Sequence, residues 1–381
     1  MKHISTGFIW TFLLLLAVIG YSAAPAHALS AGAPLHAAPL LVFGIVNIRN
    51  LFTRDAIIRW LQILGPQFPT VVMDTVFTDR PQQPGPLIGS DIIRQSVKAM
   101  PLARRGARSI SVSGATGQTE FYEPFPIHPN IAITGAELNN LRMFLQGGPN
   151  SEALLNTWAQ GKTDILRRTI RNTTEAMCAT ALTGTLAWPV QLEGGGFDTY
   201  TIDYGTNLSI AAGNFVAWDD SKVKAGDVQE LLININVEFQ KNGTGQKKIY
   251  WAGKKAFITL FNLFSKVFTT SKLILETGEN YIVINGTRIE LRSELYWNPQ
   301  TKTFVPIVAE NQLKVIDLAA GHRLPYASID DLDGNLQPMP FFIKPKKTDD
   351  PSGYSLIAES KPLPVINPLG ICDVDVVAAA E

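Results

Sequence analysis

The stretch from residue 151 to 184 restricts the fold more than any other part of the chain. It carries no proline, and Leu155, Leu166, Ile170, Met177 and Ala181 recur on one face at helical spacing, with Trp158 close to it. Lys162, Asp164, Arg167, Arg168, Arg171 and Glu175 fall on the other face. The pattern predicts one helix that ends before Pro189. At 1.5 Å per residue it is a rod of roughly 50 Å, about three times the length of an ordinary globular helix.

Around this rod the signals change. Residues 29–66 are rich in Ala and Leu and read as an extended arm followed by a short helix, Ala56 to Leu64, which Gly65-Pro66 ends. Thr70 to Val72 and Val76-Phe77 read as strands, and Arg80 to Pro86 as a turn-rich bend. From Ser96 to Ile127 the chain is polar. It holds Arg104-Arg105-Gly106-Ala107-Arg108, the alternating Ser109 to Ser113, a Gly114/Gly117 turn, and Glu120-Phe121-Tyr122-Glu123-Pro124. Two alternating arms around a glycine turn predict a long two-stranded loop. Such a ribbon is marginal alone in water and needs a surface to lie on.

After the rod, Trp188 to Leu192 and Phe197 to Tyr204 flank Glu193-Gly194-Gly195-Gly196 and read as a hairpin. Val223 to Gln240 reads as a helix, Lys248 to Trp251 as a strand, and Gly253 to Phe268 as an amphipathic helix with Phe257, Leu260, Phe261, Phe264 and Phe268 on one side. Tyr281 to Ile284 and Arg288 to Leu291 are strands around an Asn285-Gly286 turn. Thr303 to Val308 and Leu313 to Ile316 follow as strands. The chain is then loop-rich and proline-rich until two last strands, Tyr354 to Lys361 and Ile371 to Val377.

The chain is long enough, at 381 residues, for two or three sub-domains. Only 17% of residues are charged, below the roughly 25% usual for soluble domains, as suits a chain that hides surface against neighbours. Lys plus Arg and Asp plus Glu are both 33, so the formal net charge is zero. A dedicated DNA-binding protein would be basic, because phosphate contacts dominate affinity. Residues 1–28 look like a secretory leader, with Lys2 and His3, an apolar run from Phe8 to Tyr21, and Ala26-His27-Ala28 as a cleavage pattern. A start assigned too far upstream gives the same appearance. The apolar run is shorter than the 20 or so residues of a membrane span, and none is expected in the body.

Chemistry is sparse in the sequence. Cys178 and Cys372 read as two buried thiols, with no CxxC and no Cys/His cluster. His128 and His322 lack partners at metal-ligand spacing and read as structural or surface histidines. No G-x-S-x-G occurs. Ser113 to Thr119 and Gly243 to Lys248 only approach a phosphate loop, and Asp330 to Asn335 only approaches a calcium loop; all three read as turns. No catalytic residue, metal or cofactor is expected.

The order of elements resembles the phage major capsid protein E family of lambda-type phages. Ile165 to Glu175 is similar to that family's spine helix, which runs on into Phe197-Asp198-Thr199-Tyr200-Thr201-Ile202-Asp203-Tyr204-Gly205. Ile249 to Phe257 is similar to its strand-to-helix step, and Gly353 to Pro364 to its last long strand. The resemblance covers roughly residues 50–378 and rests on the order of these motifs. It implies an α+β fold of the Hong Kong 97 type: an arm at 29–66, an extended-loop region at 67–137, a peripheral domain at 138–218 with the spine helix at 151–184, an axial domain at 219–320, and a return to the peripheral domain at 321–381. It implies pentamers and hexamers of the chain itself in an icosahedral shell around double-stranded DNA, assembled in the host cytoplasm, with scaffold, portal and decoration proteins as further partners. Arg104, Arg105 and Arg108, with Glu120 and Glu123, are then expected to meet neighbouring subunits. The leader instead favours a second reading, an exported periplasmic binding or surface-array protein. A hydrolase is third and lacks the residues for it.

Overall fold

A computed structural model describes residues 70–94, 116–145, 151–192, 194–267 and 275–378. The leader, the arm, the expected helix at Ala56 to Leu64, the loop segment with Arg104, Arg105 and Arg108, and Phe268 lie outside the described residues.

In chain order the elements are α1 (Val72–Thr75), β1 (Ile88–Arg94), β2 (Thr116–Tyr122), β3 (Asn130–Thr134), α2 (Gly135–Leu145), α3 (Ser151–Ala181), β4 (Thr185–Gln191), β5 (Phe197–Asp203) and β6 (Leu208–Ser209). There follow α4 (Ala225–Lys241), β7 (Lys248–Ala252), α5 (Lys254–Val267), β8 (Leu275–Thr277), β9 (Tyr281–Ile284), β10 (Thr287–Leu291), β11 (Leu295–Asn298), β12 (Thr303–Pro306), β13 (Gln312–Asp317), β14 (Phe342–Thr348), β15 (Gly353–Glu359) and β16 (Ile371–Asp375).

The predicted rod is α3. Its apolar face is used twice along its length. Ala159, Leu166 and Ile170 pack on a three-stranded sheet, β14-β15-β3, with Ile133, Ile343, Leu356 and Ala358. Met177, Cys178, Ala181 and Leu182 enter a second core with Val72, Phe77, Trp251, Ile316 and Leu363. The polar face is less solvated than its pattern predicts, since Arg167 and Glu175 are buried. Both are charges with partners, Arg167 to Asp164 at 3.1 Å and Glu175 to the start of α1. Six threonines, Thr157, Thr163, Thr169, Thr173, Thr174 and Thr180, bond the carbonyl four residues back. Those residues are weak helix formers, so packing rather than propensity holds this helix.

A seven-stranded sheet, β6-β16-β13-β7-β10-β9-β8, separates that second core from a third. Tyr250, Ala252, Val315, Cys372 and Val374 face α4 and α5, while Trp251, Ile316 and Ile371 face α3. The two expected buried thiols therefore sit in different cores and are free. Buried Lys314 joins the end of α3 to the sheet: its Nζ pairs with Asp373 across the β13–β16 ladder and donates to the Leu182 carbonyl at 3.1 Å. Asn207 donates to the same two partners, at 2.7 and 2.9 Å.

Four expectations need correction. Thr70 to Phe77 does not form strands but the single turn α1, because the backbone N–H groups of Val71, Val72 and Met73 converge on one carboxylate, which an extended chain cannot do. The paired arms of the extended loop begin before Ser96 and end before Ile127: β1 pairs with β2 from Ile88↔Tyr122 to Arg94↔Thr116, so Gly117 is a strand residue and not part of the turn. Phe261 is exposed on α5 rather than on its core face. The proline-rich region holds a real strand, β14, whose Pro345 is tolerated because β14 is an edge strand. The Asn285-Gly286 turn forms as predicted, with φ of 48° and 86° joining β9 to β10.

Candidate functional site

Three of the sheets that the described residues form are two-stranded ribbons: β1–β2, β4–β5 and β11–β12. Among the described residues, four of the six exposed Phe and Trp side chains stand on them: Phe121, Phe197, Trp297 and Phe304. Ribbons are the elements least able to stand alone in water, and here they carry apolar surface outward. That combination marks surface meant to be covered.

The root of the β1–β2 ribbon is fixed by the loop-rich segment 323–328. Arg323 donates to the Gly89 carbonyl at 2.8 Å, Gln83 N–H to the Tyr326 carbonyl at 2.9 Å, and Gly85 N–H to Ser328 Oγ at 2.8 Å. On the other arm, Tyr200 of β5 donates to the Glu123 carbonyl at 3.0 Å and stacks edge-on with Phe125 at 5.0 Å. The ribbon thus projects from a rigid base. Glu120 and Glu123 lie near that base and are exposed. Tyr122 donates to Glu120, and desolvation, reinforced by that carboxylate, pushes its phenol up to about 12. Arg104, Arg105 and Arg108, expected to share contacts with these acids, lie outside the described residues.

Beside the base runs an open groove of about 740 Å³, walled by Phe125, His128, Met177, Trp188, Leu192 and Tyr200. A smaller pocket of about 400 Å³ between α1 and α3 is lined by Arg80, Arg167 and Arg171. Its charges are already paired: Asp74 holds Arg80 at 2.9 Å and Arg171 at 2.7 Å. Burial alone would raise the Asp74 carboxyl, but these partners and Thr70 bring it down to about 2.

The residues with the most demanding local chemistry are structural. Asp317 takes the N–H groups of Gly245 (2.6 Å), Gln246 (3.2 Å) and Lys247 (2.8 Å), so the phosphate-like loop cradles an anion from its own chain. Burial works against the Asp317 charge, yet these bonds hold its pKa below the ordinary value. Asp330 and Asp331 of the calcium-like turn pair with Lys361 and Lys344. Among the described residues no group of three or more His, Cys, Asp or Glu is placed to hold a metal. No described helix is long and apolar enough to cross a membrane. The Asp317 and Glu175 anchors leave no local signal in the sequence, since each depends on main-chain groups far along the chain.

His322 is buried, its Nδ1 accepts the Asn367 N–H at 3.3 Å, and its ring meets Phe77 edge-on at 6.4 Å. Burial pushes its pKa down to about 4 from an ordinary 6.5. The unfolded chain therefore takes up this proton first as the pH falls. The stability at stake is fully present above pH 6.5 and is lost as the pH falls to about 4, an expected cost of about 3 kcal/mol. Urea midpoints at neutral and acid pH, for the wild type and His322→Gln, check this. Equal acid losses in the two proteins would refute it.

Comparison with known proteins places this architecture. A crystal structure of a prophage protein from E. coli CFT073, described as a capsid protein, superposes with a TM-score of 0.54 at 14% identity, covering 85% of this chain and 98% of that one. A phage-related protein of Bordetella bronchiseptica RB50 gives 0.44 at 10% identity, over 84% of this chain and 96% of that one. The capsid of cyanophage A-1(L) gives 0.43 at 11%, over 83% and 95%. No curated protein sequence matches. The fold is the α+β, Hong Kong 97-like fold of phage capsids. The family model described as phage major capsid protein E matches residues 56–376, which takes in every element from α1 to β16. A match of that span leaves one assignment: the chain belongs to the phage major capsid protein E family, as a major protein of a phage or prophage shell.

Proposed function

We propose that copies of this chain assemble into pentamers and hexamers of an icosahedral head that encloses double-stranded DNA. The observation that carries the reading is the outward apolar surface of ribbons too slight to stand alone. Heterologous contacts between copies close into rings, and many modest contacts add up through multivalency. The zero net charge suits a wall that holds DNA without gripping it. Residues 29–66 act as the arm, 67–137 as the extended loop, 138–218 and 321–381 as the peripheral domain, and 219–320 as the axial domain. The role is structural, assembly takes place in the host cytoplasm, and scaffold, portal and decoration proteins are the further partners.

Within this reading Arg104, Arg105 and Arg108 on the extended loop meet acidic groups of a neighbouring subunit, and Glu120 and Glu123 take part in the same contacts. Residues 29–381 expressed in bacterial cytoplasm are expected to form closed particles or rings of five and six in electron micrographs. A stable monomer at high concentration would sink the shell reading. Replacing the three arginines with Glu is expected to abolish assembly while the subunit's melting temperature stays put; normal shells from that variant would remove the arginines from the contact.

A further inference from the structure

The outward face of the β11–β12 ribbon has a composition that narrows what covers it. Strand alternation puts Tyr296 inward, against the core beneath α3. The opposite face carries Leu295 and Trp297 from β11, and Phe304 and Pro306 from β12, with Trp297 directly across from Phe304 and Leu295 from Pro306. None of these four side chains is charged. Leu295, Trp297 and Phe304 are 58%, 48% and 65% exposed. The Trp297 and Phe304 rings are already packed edge-to-face at 5.1 Å. A second ribbon adjoins it: Gln300, in the β11–β12 turn, donates to Thr199 of β5 at 3.4 Å. Two residues away on the same strand face, Phe197 is 71% exposed.

We infer that this face is a contact seat for a second copy of the chain inside the assembled shell, separate from the arginine loop. The inference rests on the shell reading. An uncharged face has nothing to offer a DNA phosphate or a strongly charged partner. It offers a prestacked aromatic pair that loses little freedom on binding. Its size then decides between partners. The exposed parts of these four side chains amount to roughly 400 Å², about half of the 800 Å² per partner that a stable free-standing complex needs. A single-site soluble partner would not stay bound. A copy held by many simultaneous contacts in a closed lattice would.

Hydroxyl-radical footprinting of wild-type subunits and of wild-type shells tests this. Trp297 and Phe304 are expected to be labelled severalfold less in shells than in free subunits. The double variant Trp297→Ser, Phe304→Ser is expected to melt like the wild type, because both side chains point away from the core, and to need a roughly tenfold higher concentration to assemble. Equal labelling in subunits and shells, protection that appears only when a different protein is added, or undiminished assembly of a folded double variant would each overturn the contact. Wild-type subunits that never form shells would instead overturn the shell reading itself.

Discussion

Glu175→Ala is expected to lower the unfolding free energy by about 3–5 kcal/mol, the range for stripping a buried charge from its hydrogen-bonded partners. The Glu175 carboxylate accepts N–H groups from Val71, Val72 and Met73 at 2.9, 2.7 and 2.8 Å. A helix start has no intrahelical partner for its first donors. Val72 and Met73 are themselves buried, so water does not reach their N–H groups without opening the core. Burial pushes the Glu175 pKa up, and the three donors pull it back only in part. The fold therefore favours the protonated acid more than the unfolded chain does, so the pH-linked part of its contribution is largest at low pH and shrinks as the pH rises through the raised pKa. Glu175→Gln, which keeps one acceptor but sets an amide N–H against a donor, is expected to fall between wild type and Ala. Denaturant midpoints followed by circular dichroism give the values. A loss under about 1 kcal/mol for Glu175→Ala would mean that the donors find other partners.

Gly253→Ala should cost at least as much by a different route. The glycine sits between β7 and α5, and a Cβ there would lie 1.9 Å from the Ala309 carbonyl oxygen and 2.8 Å from the carbonyl carbons of Ala309 and Glu310. Those are main-chain atoms, so no side chain swings aside. The 309–312 turn is bound to this junction by Gly253 N–H to the Gln312 carbonyl and Ala256 N–H to the Glu310 carbonyl, both at 2.9 Å. Moving the turn breaks both bonds and shifts β13. The expected loss is about 3 kcal/mol or more, at or beyond the upper end for overpacking a core. Gly226→Ala is the control: it lies in the first turn of α4, with nothing within 4 Å of the added carbon. It is expected to be neutral or to stabilise by up to about 1 kcal/mol. Similar losses at the two positions would show that the steric account is wrong.

Elements specified by their own residues were legible in the sequence. The rod, α4, α5 and the β9–β10 turn each carry a local period or a turn dipeptide. Elements specified at a distance were not. The Val71-Val72 and Val76-Phe77 pairs suit a strand as well as a helix, and a carboxylate about a hundred residues away decides the matter. Pro345 argued against β14 until its edge position made the missing N–H harmless. Outward-facing Phe261, Trp297 and Phe304 look like core residues in the sequence, because hydrophobicity alone does not say which side of an element a neighbour will cover. Family membership was legible through motif order, and the outward apolar faces of the ribbons were not.

The seven-stranded sheet that walls off two cores has a mechanical consequence. Ile249 and Trp251 pack into one core, Tyr250 and Ala252 into the other, and β13 and β16 alternate in the same way. Sliding one strand by a single residue would exchange the contents of both cores, so slippage is blocked from both sides. A push on α4 and α5 reaches α3 through this ladder of backbone bonds and through the Lys314–Asp373 pair, loaded in shear. In a wall pressed from within, the two lobes of each subunit would then yield together or not at all.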